Sequence, residues 1–256
     1  MTEPAPLLRR HPRFPSTILA LKRDVTVYLP PGYDDANPCP VLYMHDGQNL
    51  FDPATAHIPG QHWRLGETAD ALIAAGTLPP LIMVGVANTG TSRIHEYTPT
   101  RDARLGGGLA DDYGRFLVEE LKPFIDKQYR TLPEAANTGV AGASFGGIAS
   151  LHLGLTHPEV FGRLGVMSPS VWWDDKVVIR DVRALKARTP ARIWVDNGTR
   201  EPEAMRRGAK ELRDALSRKG WTDTDLAYFE LPNGTHDEAS FARRAGDMLK
   251  FLFPAK

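Results

Sequence analysis

Short apolar runs recur along the chain, and most of them end in turn residues such as glycine, proline, asparagine or aspartate. Runs of this length that are rich in β-branched and aromatic residues predict β-strands. The run at 81–88 is apolar almost throughout, as expected for a strand covered on both faces. With a first edge strand at 16–23, the pattern predicts an eight-stranded sheet. Its strands are predicted at 16–23, 26–30, 41–47, 81–88, 138–144, 163–170, 192–198 and 226–234.

Amphipathic stretches fill the gaps between these runs and predict α-helices. Residues 111–128 begin with acidic residues, which favour a helix N-terminus, and Pro123 is expected to kink or interrupt this helix. Helical spacing also marks 203–219 and 238–253. The apolar stripe of the last helix consists of Phe241, Ala245, Met248, Leu249 and Leu252. Because strands and helices alternate, the pattern predicts an α/β fold with a mostly parallel sheet and helices on both faces.

The domain organisation follows from the chain length and from the spread of prolines. The chain has 256 residues, enough for one large α/β domain or two small ones. The prolines are distributed through the predicted loops and mark no linker, which favours a single domain over residues 16–256. The proline-rich residues 1–15 are expected to be a loosely attached tail.

Composition narrows the classes of partner. The chain has 31 Lys+Arg and 31 Asp+Glu, so it lacks the basic excess that favours nucleic acid or an anionic membrane. No apolar run approaches the length of a membrane span. With Cys39 as its single cysteine the chain forms no internal disulfide, and its first residues lack the apolar segment of a signal peptide. We therefore expect a cytoplasmic protein without a nucleic-acid or membrane partner, and its oligomeric state stays open.

One serine lies in a glycine-rich setting between a predicted strand and a predicted helix. Residues 142–146 read Gly-Ala-Ser-Phe-Gly, with Ser144 at the centre. A G-x-S-x-G segment between strand and helix is typical of a nucleophile elbow, in which a tight turn exposes the serine and requires small neighbours. The helix N-terminus behind the serine favours negative charge near its amides. The alternative is a glycine-lined junction that contains a serine by chance.

A nucleophilic serine needs a base and an acid, which in this fold follow it in the order acid, then histidine. His236 lies in the loop between the last predicted strand and the last predicted helix, where the base is expected, and a solvated loop histidine is the alternative. The earlier His152 and His157 lie within and at the end of the helix after the serine. The acid is expected after the preceding strand, where Asp196 and Glu201 are both well placed. From the residues alone, the choice between these carboxylates stays open.

The oxyanion formed during acyl transfer needs two donors that are already in place. The backbone amide of Phe145, directly after the serine, is the first candidate. The second is expected from the turn after the third predicted strand, through the amide of Gly47 or Gln48. His45 and Asp46 precede these residues and are interpreted as pinning the loop by hydrogen bonds.

With these motifs in order, the chain resembles the esterase D and enterochelin esterase-like branch of the α/β-hydrolase superfamily. That branch includes siderophore, feruloyl and acetylxylan esterases, S-formylglutathione hydrolase and the mycolyltransferases. Only the serine motif is strong by itself, and the order and spacing of the others make the resemblance specific. The resemblance covers most of residues 25–253 and rests on the segments VLYMHDGQNLFD, GASFGG, SPSVWW, DNGTRE and GTHDEASF.

The resemblance implies an activity and decides between the two acids. The acid of this family commonly ends a Gly-Thr-x-Asp/Glu segment, which residues 198–201 match, so the resemblance favours Glu201 over Asp196. The expected activity is hydrolysis of small soluble esters through an acyl-enzyme, with Ser144 as nucleophile and His236 as base. No cofactor or metal is expected, because the histidines and carboxylates match no metal-binding spacing. A short connection after the sixth predicted strand predicts a cleft without a large lid.

The substrate is the least constrained part of this interpretation. Trp172 and Trp173 are expected to form an aromatic wall for the substrate or, alternatively, to pack under a loop. Arg93 lies in a segment that resembles one near the active site of the family, and it either contacts substrate or braces the loop by pairing with Glu96. Siderophores of the enterochelin type and feruloyl or acetyl-carbohydrate esters are the alternative substrates. A non-catalytic carbohydrate-binding relative is the alternative from another functional class.

Overall fold

The structure, a computed structural model, describes residues 7–34 and 36–255. In these residues eight strands form one sheet in the order β1-β2-β4-β3-β7-β8-β9-β10, and two short strands, β5 and β6, form a separate hairpin. The strands span Leu7–Phe14 (β1), Arg23–Leu29 (β2), Val41–His45 (β3), Ile82–Val86 (β4), Arg101–Asp102 (β5), Gly106–Gly107 (β6), Thr138–Ala143 (β7), Arg163–Met167 (β8), Arg192–Gly198 (β9) and Leu226–Leu231 (β10).

The strand order has a reversal at β3. After β3 the chain forms β4 on one side of it and later returns to form β7 on the other side. The six strands from β4 across to β10 pair in parallel, whereas β2 is antiparallel to both of its neighbours. In open α/β sheets, ligands bind outside the carboxyl ends of the strands, at the point where the order reverses. The topology therefore points to the ends of β3 and β7.

Helices cover both faces of the sheet. They span Leu65–Ala74 (α1), Arg93–Glu96 (α2), Ala110–Arg115 (α3), Lys122–Gln128 (α4), Phe145–Thr156 (α5), Trp173–Ala184 (α6), Glu203–Lys219 (α7) and Glu238–Leu252 (α8). Along β3, Val41 and Tyr43 point into one apolar core and Leu42 and Met44 into the other. The first core is shared with α3 to α7, and the second with α1 and α8. The predicted fold class, a mostly parallel eight-stranded sheet with helices on both faces, is confirmed.

The edge strand lies earlier in the chain than predicted. β1 occupies Leu7–Phe14 and pairs with β2, whereas residues 17–21 form bends instead of the strand predicted at 16–23. Most β1 side chains are exposed, so this strand lacks the apolar alternation that the prediction used. The part of the expected tail from residue 7 to 14 thus belongs to the sheet, and residues 1–6 lie outside the described residues.

The interruption expected at Pro123 takes the form of a change in helical hydrogen bonding. The helical region from α3 to α4 is continuous, with a π-helical segment, Phe116–Leu121, between them. Pro123 is the second residue of α4 and thus lies in its first turn, two positions after the end of this segment. A proline ring crowds the carbonyl four residues earlier and lacks an N–H, and the wider π-helical turn accommodates both effects.

The remaining predicted elements are confirmed. Most of their ends agree with the structure to within two residues, and the largest difference is three residues. Residues 203–219 form α7, and the stretch predicted at 238–253 forms α8. The helices α1, α2 and α6 and the hairpin of β5 and β6 were not predicted. Within residues 7–34 and 36–255, no helix combines the length and the apolar character needed to cross a bilayer.

Candidate active site

Ser144 lies at the sharp turn between β7 and α5. Its backbone has φ 63° and ψ −120°, a conformation that a non-glycine residue adopts only when its surroundings enforce it. Its amide donates to the Met167 carbonyl (3.0 Å), and its carbonyl accepts from the amides of Gly147 and Ser170 (3.1 Å each). These bonds hold the residue at the carboxyl edge of the sheet, as a nucleophile elbow requires.

The two glycines that flank the elbow make room for His45. A Cβ atom on Gly142 would lie 2.9 Å from His45 Cδ2, and one on Gly146 would lie 3.2 Å from His45 Cβ. His45 is buried, with its Nδ1 3.0 Å from the hydroxyl of Tyr113. Burial lowers the pKa of His45 to about 4, so its ring is neutral at pH 7. His45 therefore packs against the elbow from the end of β3 and pins this loop.

His236 and Glu201 meet at the same edge of the sheet. His236 follows β10, Glu201 follows β9, and the Nδ1 atom of His236 lies 3.2 Å from the Oε2 atom of Glu201. The side chain of His236 is 30% exposed, whereas that of Glu201 is completely buried. The imidazole is thus the member of the pair that faces the solvent.

A cavity of about 660 Å³ opens over Ser144, and His236 lines it as well. No hydrogen bond joins these two side chains in the described part of the chain, and Ser144 Oγ lies 3.2 Å from Ser170 Oγ instead. Hydrogen bonds of this kind commonly tighten only when substrate binds. The rest of the lining includes Asp46, Gln48, Asn49, Asn88, Arg93 and Glu238. Among the described residues, no group of three or more His, Cys, Asp or Glu side chains is arranged to hold a metal ion.

Glu201 is held as a charged carboxylate. It accepts hydrogen bonds from the amide of Gly198 (2.8 Å) and the hydroxyl of Ser168 (2.5 Å), in addition to its contact with His236. Burial by itself raises the pKa of Glu201, but these hydrogen bonds outweigh burial and the pKa is lowered. A fixed negative charge therefore stands beside the imidazole at neutral pH.

Asp196, the other candidate acid, has different partners. It is completely buried on β9 and accepts from the indole N–H of Trp194 (2.7 Å) and the guanidinium of Arg244 (2.8 Å). Burial raises the pKa of Asp196, and the charge of Arg244 opposes this rise only in part. The geometry thus brings Glu201, and not Asp196, to His236.

Sequence reasoning missed Arg244, which is completely buried behind the two carboxylates. Its Nη1 atom lies 2.8 Å from Asp196 and 3.5 Å from Glu201, and its Nη2 atom donates to the hydroxyl of Ser168 (3.0 Å). The guanidinium thus contacts both carboxylates and offsets their negative charge from behind the imidazole. The sequence did hold a signal, because position 244 falls on the apolar stripe of α8, where a charged residue is rare unless it is paired.

Replacing Arg244 with methionine is expected to lower the free energy of unfolding by about 3–5 kcal/mol, because the two buried carboxylates lose their counter-charge. Urea unfolding followed by circular dichroism measures the loss. Arg243→Met, at the neighbouring exposed position, is the matched control and is expected to change stability by less than about 0.5 kcal/mol. Equal, small losses in both variants would contradict the assignment of Arg244 to the buried cluster.

The three residues whose backbone amides are candidate oxyanion donors differ in their surroundings. Gly47 is pressed against β4, since a Cβ atom there would lie 2.3 Å from the backbone of Gly85. Gln48 lines the cavity, and its side chain accepts a hydrogen bond from the amide of Asn88 (3.1 Å). Phe145 is the first residue of α5, so its amide has no carbonyl partner within the helix.

Arg93 lines the cavity but is engaged by Asp46. Its Nε and Nη2 atoms donate to the two carboxylate oxygens of Asp46, at 2.7 Å each. Burial by itself raises the pKa of Asp46, but the charge of Arg93 and the hydrogen bonds from Arg93 and Asn88 together outweigh burial, and the pKa is lowered. Glu96 instead pairs with the buried Arg23 of β2 (2.9 Å). An Arg93–Glu96 brace is therefore wrong, and the Arg93–Asp46 pair braces this loop.

The two tryptophans of the SPSVWW segment have opposite environments. Trp173 is completely buried, and its indole N–H donates to the carbonyl of Thr100 (3.0 Å). Trp172 is 42% exposed, with its ring centroid 5.7 Å from that of Phe145. Neither side chain lines the cavity over Ser144. Trp173 thus packs under the loop, and only Trp172 presents an aromatic surface near the elbow.

The chain is similar to known proteins in family, sequence and fold. The model of the family described as "Putative esterase" matches residues 16–252. The chain is 27% identical over 245 residues to the uncharacterized protein YbbA of Bacillus subtilis (strain 168). The aligned region covers 90% of this chain and 92% of that protein. It is 30% identical over 198 residues to an endo-1,4-beta-xylanase/feruloyl esterase of Xylanibacter ruminicola, covering 74% of this chain but only 24% of that protein.

Among solved structures, the enterobactin esterase FES from Shigella flexneri superposes on the chain with a TM-score of 0.78 and 23% sequence identity. The superposition covers 98% of this chain and 60% of that one. At this level of identity the similarity shows the fold. The chain thus spans nearly all of one relative and only part of the other two proteins.

Proposed function

The chain belongs to this esterase family and is a carboxylic ester hydrolase, and from that premise we propose that it cleaves small soluble esters with a triad of Ser144, His236 and Glu201. One observation carries the proposal: the elbow serine and His236 line one cavity, and the buried Glu201 contacts the far side of the imidazole. Three residues from three separate loops meet in the chain order that this fold uses. A binding-only relative has no need of this constellation.

In the first half of the reaction Ser144 becomes acylated. His236 takes the proton of the serine hydroxyl while the oxygen attacks the ester carbonyl carbon. The carbonyl oxygen gains the negative charge of a tetrahedral intermediate. When this intermediate collapses, the carbon–oxygen bond to the alcohol breaks and His236 donates its proton to the leaving alcohol. Glu201 holds the imidazole in the tautomer whose Nε2 atom accepts the serine proton, and stabilises the imidazolium.

The second half releases the acid. A water molecule takes the place of the alcohol, His236 removes its proton, and the hydroxide oxygen attacks the acyl carbon. Collapse of the second intermediate breaks the bond to Ser144, which recovers its proton from His236. The step consumes one water and leaves the enzyme unchanged.

Two backbone amides are proposed to stabilise the oxyanion in both halves. The first is that of Phe145, at the N-terminus of α5, where the helix dipole adds to the effect. For the second we choose Gln48 over Gly47, because Gln48 lines the cavity and Gly47 is pressed against β4. Amides fixed by the fold need no reorganisation when the charge develops.

The proposed substrates are short and polar. The cavity is lined mainly by amide, hydroxyl and charged side chains, with Ile58 and Phe241 as its larger apolar residues. Among the described lining residues, these two are the only large apolar side chains that could pack against a long acyl chain, whereas the polar groups at most other positions can hydrogen-bond to a short polar ester. One relative is by name a feruloyl esterase and one similar structure is an enterobactin esterase, and these ester classes remain the alternatives.

The proposal is tested with p-nitrophenyl esters from acetate to octanoate and with a fluorophosphonate probe. We expect kcat/KM to fall as the acyl chain lengthens, and the probe to modify Ser144, as located by peptide mass spectrometry. The urea-unfolded protein is the control and should remain unlabelled, because an unfolded serine has no activating base. Modification of another residue, or of the unfolded protein to the same extent, argues against the elbow serine as nucleophile.

A further inference from the structure

The charged side chains that line the cavity are mostly acidic. They comprise three carboxylates, those of Asp46, Asp237 and Glu238, and one guanidinium, that of Arg93. Because Arg93 forms a bidentate pair with Asp46, these two charges offset each other. Among the described residues of the lining there is no lysine and no second arginine. Two carboxylates at the start of α8 thus set the charge of the cavity.

Asp237 is committed to the helix terminus. It is the N-cap of α8, and its side chain accepts from the amide of Ser240 (2.8 Å) and the hydroxyl of Thr235. The partial positive charge of the first helical turn lies next to this carboxylate and partly offsets its negative charge. The neighbouring Glu238 is therefore the carboxylate with the larger effect on a bound molecule.

Glu238 is fixed in place without being neutralised. Its Oε1 atom accepts from the side-chain amide of Asn49 (3.0 Å), and its Oε2 atom accepts from the indole N–H of Trp63. Both donors are uncharged, so they hold the carboxylate in one position without placing a counter-charge on it. Burial raises the pKa of Glu238, and the hydrogen bond from Trp63 opposes this rise. Each oxygen keeps a further lone pair for a donor in the cavity. The position is two residues beyond His236 in the chain, so the charge stands close to the reacting groups.

We propose that Glu238 makes this site select esters by charge, favouring substrates that carry an ammonium group near the scissile bond and rejecting anionic ones. The inference names the substrate class of the hydrolytic site and rests on the proposed function. A fixed charge in a partly enclosed cleft attracts a cation and repels an anion over several ångströms, and dissolved salt weakens both effects. Iron complexes of catecholates are anionic, so the inference also argues against that siderophore class as the natural substrate.

The test uses three thioesters of similar shape, whose released thiol is detected with Ellman's reagent. Acetylthiocholine is cationic, 3,3-dimethylbutyl thioacetate is its uncharged isostere, and S-acetyl-2-mercaptoethanesulfonate is anionic. At low ionic strength we expect kcat/KM for the cation to exceed that for the anion by about tenfold or more, after correction for their intrinsic hydrolysis rates. Added sodium chloride should shrink this ratio.

The variants Glu238→Gln and Asp223→Asn separate the effect of the cavity charge from that of the overall charge. Glu238→Gln is expected to lower the cation-to-anion ratio about fivefold, and any general loss of activity cancels in the ratio. Asp223 is exposed before the start of β10, at the opposite edge of the sheet, so Asp223→Asn should leave the ratio as it is.

The outcomes distinguish this inference from the proposed function. If the uncharged thioester is cleaved but the ratio is close to one in wild type, or is unchanged in Glu238→Gln, the charge selection is wrong and the esterase mechanism stands. Should the protein cleave none of the three and Ser144 resist the fluorophosphonate, both are wrong. The salt dependence in wild type keeps the inference testable even if Glu238→Gln fails to fold.

Discussion

Ser144→Ala is expected to lower kcat for p-nitrophenyl acetate by about 10⁴-fold or more while leaving the fold intact. The change removes the one oxygen that forms the acyl-enzyme, and water then has to attack the ester directly. Some acceleration should survive, because the backbone amides that we propose as oxyanion donors, those of Phe145 and Gln48, are unaffected by the change. Alanine fits the turn, since the strained φ of 63° is imposed by hydrogen bonds of the backbone rather than of the hydroxyl.

Ser170→Ala is the matched control for this prediction. The hydroxyl of Ser170 lies 3.2 Å from that of Ser144 at the same loop edge, so the control removes the same group from a neighbouring position. Its loss should cost less than about tenfold in kcat, because Ser170 is not on the path between serine, imidazole and carboxylate. A decrease in Ser170→Ala as large as that in Ser144→Ala would show that the wrong hydroxyl was assigned.

The parts of the site that lie next to regular elements were predictable from sequence. The elbow is a local motif: a buried strand, two glycines and a helix start define it without knowledge of distant residues, and Ser144 occurs where the motif requires. The position of His236 follows from chain order, because the last loop before the last helix lies at the carboxyl edge of a parallel sheet. The local motif therefore predicts the position of Ser144, and the order of strands and helices along the chain predicts that of His236.

Other features depend on distant contacts and were missed or left open. Asp196 and Glu201 lie at the end of the same strand, and their hydrogen-bond partners distinguish them. The amide of Gly198 donates to Glu201, whereas Arg244 of α8 donates to Asp196. The edge strand β1 is mostly exposed, so its formation depends on pairing with β2 rather than on its own pattern. Directly after its first residue, helix α6 has three residues in the left-handed region, 174–176, which no propensity predicts.

Glu201→Gln is expected to lower kcat by about 10³- to 10⁴-fold with only a modest loss of stability. An acceptor-only carboxylate becomes a group with an acceptor at one end and a donor at the other. The Oε1 side must still accept from Gly198 and Ser168, so the new NH₂ group faces His236. It then donates to Nδ1, which puts the imidazole proton on Nε2. In that tautomer the imidazole has no lone pair for the serine proton.

Asp196→Asn is the matched change at the other acid and should show the opposite pattern. Both carboxylate oxygens of Asp196 accept from buried donors, Oδ1 from Ser168 and Arg244 and Oδ2 from Trp194, so the new NH₂ group leaves a buried donor without an acceptor. We expect a loss of about 1–3 kcal/mol in the free energy of unfolding but a decrease in kcat of less than about tenfold. Steady-state kinetics on p-nitrophenyl acetate and urea unfolding of both variants give the comparison.

If Asp196→Asn abolished turnover and Glu201→Gln mainly lowered stability, Asp196 would be the catalytic acid. The contact between Glu201 and His236 would then have to rearrange when substrate binds. The two variants therefore decide the assignment, because one carboxylate contacts the imidazole and the other contacts only the buried frame behind it.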